Sequence, residues 1–298
     1  MAPMATREVL FDPSDAFVRP LIEAGARLTL DLLAEHGKTH TGLIQAVASA
    51  HAFSGEASRT LVERVPQVRR LPLACAPGCA SCCHGTPVLV QASEALNLAS
   101  HLRQSRSAEE LSELADRIRL TLDQVRDMDQ EERARSRIPC PLLDVERGAC
   151  TAYEARPFAC RAYNSCDRSH CEAALLAGEA NPDLPSNPVL FRATHAVGFG
   201  LMTAAALQDL ETGPYELVNA LATALTVPGA EERWLAGEAV FSHTRVSAEG
   251  AEAYGEIVAG LTRDFRAGKM KEAIKLVARV DPDLRRRARN RRKAGKGR

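Results

Sequence analysis

The sequence lacks an uninterrupted apolar run of the ~18 residues that a membrane span requires, which argues against integral membrane insertion. Its first residues, Met1 to Arg7, have neither a basic n-region nor an apolar h-region, so no secretory signal is expected there. The chain is therefore expected to be cytoplasmic, where persistent disulfides are rare and closely spaced cysteines bind metal or do redox chemistry. Strands and helices do not alternate, so no doubly wound nucleotide fold is expected. Gly37-Lys38-Thr39 ends like a phosphate-binding loop, but Leu32 stands where that loop needs its first glycine. Gly198 to Gly200 falls inside a helical pattern, which excludes a dinucleotide loop. No Ser/His/Asp or paired-carboxylate signature is visible, and no catalytic residue is named; whether the protein is an enzyme stays open.

Net charge is absent as well, with 38 bases against 38 acids, but the balance is uneven. Leu284 to Arg298 holds nine Lys/Arg and no acid, leaving a body of charge −9. Such a block reads as a solvated tail. RNA, DNA or another acidic surface is its candidate partner, bound weakly and with strong salt dependence, because no aromatic residue is present to stack on bases. No other partner is indicated.

What is present is helix and cysteine. Phe17, Val18, Leu21, Ile22, Leu28, Leu32 and Leu33 recur at helical spacing, with Gly37 as a stop. After an extended Pro87–Val90, Ser93 is expected to cap a helix to about Leu102. Ser107 and Glu110 form a capping-box pattern before a stripe from Leu111 to Met128. Beyond Pro188, helices are expected along Leu190–Ala205, around Leu217–Leu225, and over Glu231–Phe241, Ala248–Phe265 and Met270–Val280. Gly213-Pro214 should separate the first two. The expected fold is mostly α, with helical segments at 1–71 and 188–280 flanking an irregular cysteine-rich metal-binding module at 72–175. Helices are inserted into that module at 93–135, and a basic tail follows at 284–298.

All nine cysteines fall in two groups. Cys75, Cys79, Cys82 and Cys83 occupy nine residues, and Cys140, Cys150, Cys160, Cys166 and Cys171 follow in or just after a turn-rich stretch. Gathered thiolates are soft ligands for zinc, iron or an iron–sulfur cluster. Disulfide pairing is disfavoured by the compartment and by the odd count. The first three cysteines also match the C-x3-C-x2-C triplet of radical S-adenosylmethionine enzymes, but that loop follows a barrel strand, and none is expected here.

Cys75-x3-Cys79-x2-Cys82-Cys83, then Cys140-Pro-Leu-Leu, Gly148-Ala-Cys150 and Tyr153-Glu-Ala-Arg-Pro-Phe-Ala-Cys160-Arg161, resemble the YkgJ-type cysteine-cluster family. The resemblance spans Cys75 to Cys166 and implies a zinc- or iron-chelating domain. Flagellin lysine N-methylases carry a related module, so it also implies a possible enzymatic relative. The function expected is metal binding by a cysteine cluster. The alternative is an iron–sulfur enzyme with a redox or methyl-transferring centre on the same sulfurs. The candidate ligands are Cys75, Cys79, Cys82, Cys83, Cys140, Cys150, Cys160 and Cys166; Cys171, His84 and His170 are undecided. Arg161 is expected to offset thiolate charge and Arg156 to brace the loop through Glu154, with Tyr153 and Phe158 as apolar filling. The thiols exceed what one tetrahedral zinc needs. That leaves an iron cluster, two zinc ions sharing a thiolate, or one closed site plus a reactive cysteine.

Overall fold

The computed structural model describes residues 12–180, 182–244 and 248–269. The expected helix over Met270–Val280 and the basic tail lie outside the described residues. Among those described the protein is mostly α-helical, with two two-stranded pairings. Helix α1 (Val18–His36) buries Val18, Leu21, Ile22, Leu28 and Leu32 and ends at Gly37 with φ 73°. Thr39 caps α2 (His40–Arg64) by accepting from the Gly42 amide at 3.2 Å, and the short α3 (Pro66–Arg69) follows. Strand β1 is Leu89–Val90, and α4 (Ala92–Ser105) is capped by Gln91, not by Ser93. Ser93 is instead buried inside the helix.

Helix α5 (Ala108–Val125) begins on the expected Ser107–Glu110 capping box and buries Leu114, Ile118 and Thr121. Helix α6 (Gln130–Ser136) carries a second box, from Asp129 and Glu132. The cysteine region then adds strands β2 (Leu143–Asp144) and β3 (Ala149–Cys150), the single-turn α7 (Phe158–Ala162) and α8 (Arg168–Ala177). Helix α9 (Pro188–Leu207) stops six residues before Gly213, earlier than the Gly-Pro pair suggested. Residues Tyr215–Glu216 form β4, which pairs antiparallel with β1, and then α10 (Leu217–Thr226) begins. This long-range pairing of two residues a side has no local pattern. The helix expected over Glu231–Phe241 is only α11 (Ala230–Leu235); α12 spans Ala248–Arg266.

One apolar core runs from Val18 to Leu261 and draws on both ends of the described chain. Its axis is α9, which packs along α1 and also meets α2, α7 and α12. By length and composition alone α9 would be long enough to cross a membrane, with mean hydropathy 1.3, but 72% of it is buried by its neighbours. The earlier expectation counted uninterrupted apolar residues, which Arg192 and His195 break. Helices α1 and α9 touch at backbone distance. A Cβ at Gly200 would lie 2.3 Å from the Ile22 carbonyl oxygen, and one at Gly25 would lie 2.7 Å from that of Val197.

Two outcomes follow from this packing. Gly200→Ala should destabilise the fold by about 3 kcal/mol, because overpacking displaces backbone rather than a flexible side chain; urea denaturation checks it, and an unchanged midpoint would refute the close approach. The second concerns His195 on α9, whose ring lies 4.4 Å from that of Phe191 and whose pKa burial pushes down to about 4. An unfolded imidazole titrates near 6.5, so the unfolded state binds more protons between these values, and stability should fall as pH drops from about 6.5 to about 4. His195→Gln should flatten part of that acid limb in a pH series of thermal melts.

Candidate metal centre

The cysteine region has little apolar sequence, so its shape depends on backbone hydrogen bonds and turns. The first loop turns at Gly78, with φ 85°, and runs into a 3-10 turn at Ser81–Cys83. The second approaches it edge on: Cys140 donates its amide to the Cys83 carbonyl at 2.7 Å, and Gly85 donates to Ile138 at 2.9 Å. The β2–β3 hairpin sets Leu143 opposite Cys150 and closes over Gly148, where φ is 59°. A Cβ on Gly148 would lie 3.1 Å from the Gly78 carbonyl oxygen, so the two turns press together. On the other side, Ala74 donates to the Ser165 carbonyl at 2.8 Å, and the Ser165 amide points to the Cys75 sulfur at 3.3 Å.

Two buried polar groups fasten this module to the helices. Asn187, fully buried, caps α9 and donates its side-chain amide to the carbonyls of Val68 and Leu71, both at 3.0 Å. Its backbone amide donates to Asn164 Oδ1 at 2.8 Å. Glu94 on α4 is 2% exposed and accepts the Phe158 amide at 2.6 Å and the Gln91 amide at 3.1 Å. Phe158 opens α7, the helix that carries Cys160, so this carboxylate sets the position of that cysteine. Neither group shows a distinctive sequence signal; Glu94 at the third position after Gln91 is a weak capping cue.

The fold brings the two groups of sulfurs together across the sequence. Cys160 lies within electrostatic reach of Cys140, Cys82 and Cys150, and burial raises its pKa. Burial likewise raises Cys140 to about 12 and lifts Cys150. Cys82, an exposed residue, is raised first by its hydrogen bond with Cys83 and then by burial. Cys75 is near Cys82 and Cys79. Cys171, undecided from sequence, lies near Cys79, Cys75 and Cys82. Cys166 sits at the rim, its thiol donating to the Leu71 carbonyl at 3.5 Å, with Cys75 as its sulfur neighbour. His84 Nδ1 is 3.0 Å from the Ala80 carbonyl oxygen, and His170 is exposed.

The two arginines hold positions opposite to those expected. Arg161 donates Nε to the Arg156 carbonyl at 2.6 Å and Nη2 to the Glu154 carbonyl, so it is the residue that braces the loop. Arg156 lies within reach of Cys75, Cys82, Cys150 and Cys160, and its charge lowers each of their pKa values against the larger effect of burial. Its guanidinium carbon stands 3.6 Å over the Tyr153 ring, and its Nε is buried without a hydrogen-bond partner. Phe158 is buried, whereas Tyr153 is 47% exposed and serves as a platform for Arg156 rather than as core.

Residues 74–176 match the sequence model of the CxxCxxCC family, described as a putative zinc- or iron-chelating domain. That segment is a YkgJ-type cysteine-cluster domain. The match extends past Cys166 to take in Cys171. No curated protein and no solved structure matches the chain. Among the described residues, no three His, Cys, Asp or Glu side chains form a closed set of metal ligands. The donor chemistry nonetheless fits either ion: the sulfurs of both groups lie within electrostatic reach of one another, and the Arg156 guanidinium acts on four of them.

Glu94 supplies a test. Glu94→Gln keeps the size but replaces an anionic acceptor with a weaker neutral one at the start of α7. Zinc affinity, measured by competition with a chromophoric chelator, should fall about tenfold, given what loss of a ligand-positioning group costs. Unchanged affinity would show that α7 is held by packing alone.

Proposed function

We propose that residues 74–176 chelate zinc through cysteine thiolates, and that the ion's task is to hold the cysteine-bearing segments together. The observation that carries this reading is that Cys160 lies within electrostatic reach of Cys82, Cys140 and Cys150, from four separate stretches of chain, with Arg156 in reach of Cys82, Cys150 and Cys160. The residues that would hold the ion are these four cysteines, with Cys75, Cys79, Cys83 and Cys166 beside them. When bound, zinc supplies a redox-silent positive charge that lets crowded thiols ionise. Arg156 offsets part of the remaining negative charge, Arg161 fixes the backbone that carries Arg156, and Glu94 positions Cys160. All-sulfur ligation suits iron as well. Zinc is the choice here because it needs no redox partner, and no electron-transfer motif is visible in the chain.

Because the thiols must lose protons to bind, zinc affinity should weaken as pH falls from 8 to 6, by at least about tenfold per unit. A flat pH profile would refute thiolate ligation. Cys160→Ser should lower metal content and open the Cys140–Cys166 stretch to protease before the helices unfold. Chelation of the unmodified protein should do the same. Identical cleavage patterns with and without metal would show that packing holds the loop. A protein prepared without oxygen should be colourless; a brown one with stoichiometric iron and sulfide would replace zinc by an iron–sulfur centre.

A further inference from the structure

Between the cysteine module and the helical body lies a cavity that zinc chelation does not use. It encloses about 40 Å³ and is bounded by the start of α4, by Phe158 and Ala159 on α7, by α9, and by Tyr254 on α12. Phe158, Phe199 and Met202 are buried in its wall, and the Tyr254 ring stacks on Phe199 with centroids 5.4 Å apart. Leu89, Ala159 and Tyr254 are half-buried and give the cavity a side towards solvent.

The polar groups that line it are few. Gln91, 8% exposed, donates Nε2 to the Gly198 carbonyl at 2.7 Å, which identifies the other end of its amide as Oε1, buried without a hydrogen-bond partner. Glu94 accepts the Phe158 amide on Oε1 and the Gln91 amide on Oε2, so each carboxylate oxygen keeps a second lone pair. Of the residues that line the cavity Glu94 alone is charged at neutral pH, since burial holds His195 neutral and the Tyr254 phenol protonated. His51 Nε2 stands 3.7 Å from Glu94, too far for a hydrogen bond. Arg161 is within electrostatic reach of Glu94 but is turned to the carbonyls of Arg156 and Glu154 and does not line the cavity. An anionic acceptor and a free amide oxygen beside aromatic and thioether walls select a cation that carries both N–H and methyl groups.

We propose that this cavity binds a small alkylammonium ion, its N–H groups donating to Glu94 and to Gln91 Oε1 and its methyl groups meeting Phe199, Met202 and Tyr254. The volume sets the size: one water-sized group needs about 10–15 Å³, so the ion has about three heavy atoms. Dimethylammonium, with two N–H groups and two methyls, has this composition. The site needs no cysteine and stands apart from zinc chelation.

The test is titration of the full-length protein with dimethylammonium chloride at constant ionic strength, followed by the backbone amide signals of Gly198 and Tyr254 in nitrogen–proton NMR spectra. The expected result is a saturable shift with a dissociation constant on the order of 1–10 mM, near what three heavy atoms can supply. Ethanol, of equal size and uncharged, and sodium and acetate ions should leave these signals in place. Tyr254→Leu, which removes an aromatic face on the solvent side, should weaken binding by about fivefold. The absence of a saturable shift up to 100 mM, by the flagged order of magnitude about ten times the weakest expected constant, overturns the proposal. An equal response to ethanol shows an apolar cavity without selection for charge, and an equal response to sodium shows a general salt effect; either overturns it too. Unchanged affinity in a folded Tyr254→Leu protein places the ion elsewhere and refutes the site. Should that variant misfold, the comparison of dimethylammonium with ethanol and sodium on the unmodified protein decides.

Discussion

The buried carboxylate of Glu94 is the constraint on which the arrangement of this protein depends. A carboxylate withdrawn from water is costly unless its oxygens are satisfied, and here they accept one amide from the start of its own helix and one from the start of α7. His51, 3.7 Å away on α2 and held towards its neutral form by burial, adds no full opposing charge. The carboxylate therefore acts as an anionic cap for two helices at once, consistent with the preference of helix N-termini for negative charge. Through it the helical body decides where the Cys160 turn stands.

The rest of the cysteine region is held by similar means. It has short paired strands, turns that need positive φ, and side-chain amides that reach across the chain. Asn187 joins the end of the N-terminal helices, the Asn164 turn and the start of α9 in one buried cluster. Such a framework places sulfurs near one another without closing them into a coordination shell. Metal ligation and the helical body thus divide the work: the body sets the neighbourhood, and bonds to an ion would draw the sulfurs in.

The helical body can bear that load because its centre is tight. The α1–α9 contact leaves no room for a methyl group at Gly200 or Gly25, and close-packed interiors transmit displacement rather than absorb it. The apolar character of α9 also belongs to this role. It is covered by α1, α2, α7 and α12, and α7 is the element that links it to the cysteines.

Much of this was legible in the residues alone. Helical periodicity marked α1, α5, α9 and α12 because each must turn one apolar face inward, and the Ser107–Glu110 box marked its own start. The spacing of Cys75 to Cys83, and the motif from Cys140 to Arg161, carried the resemblance that the family match then bore out. Tertiary structure alone decided the rest. The Leu89–Glu216 pairing, the Asn187 cluster and the reach of Glu94 to Phe158 join residues 23 to 127 positions apart, and no local pattern encodes such contacts. The arginines make the same point. Arg156 and Arg161 differ little in sequence context, but α7 turns Arg161 back onto the carbonyls behind it and leaves Arg156 facing the thiols. Cys171 was ambiguous for the same reason, since a cysteine on a short helix acquires its neighbours only when that helix docks. Composition and spacing state which donors exist; only the packed chain decides which of them meet.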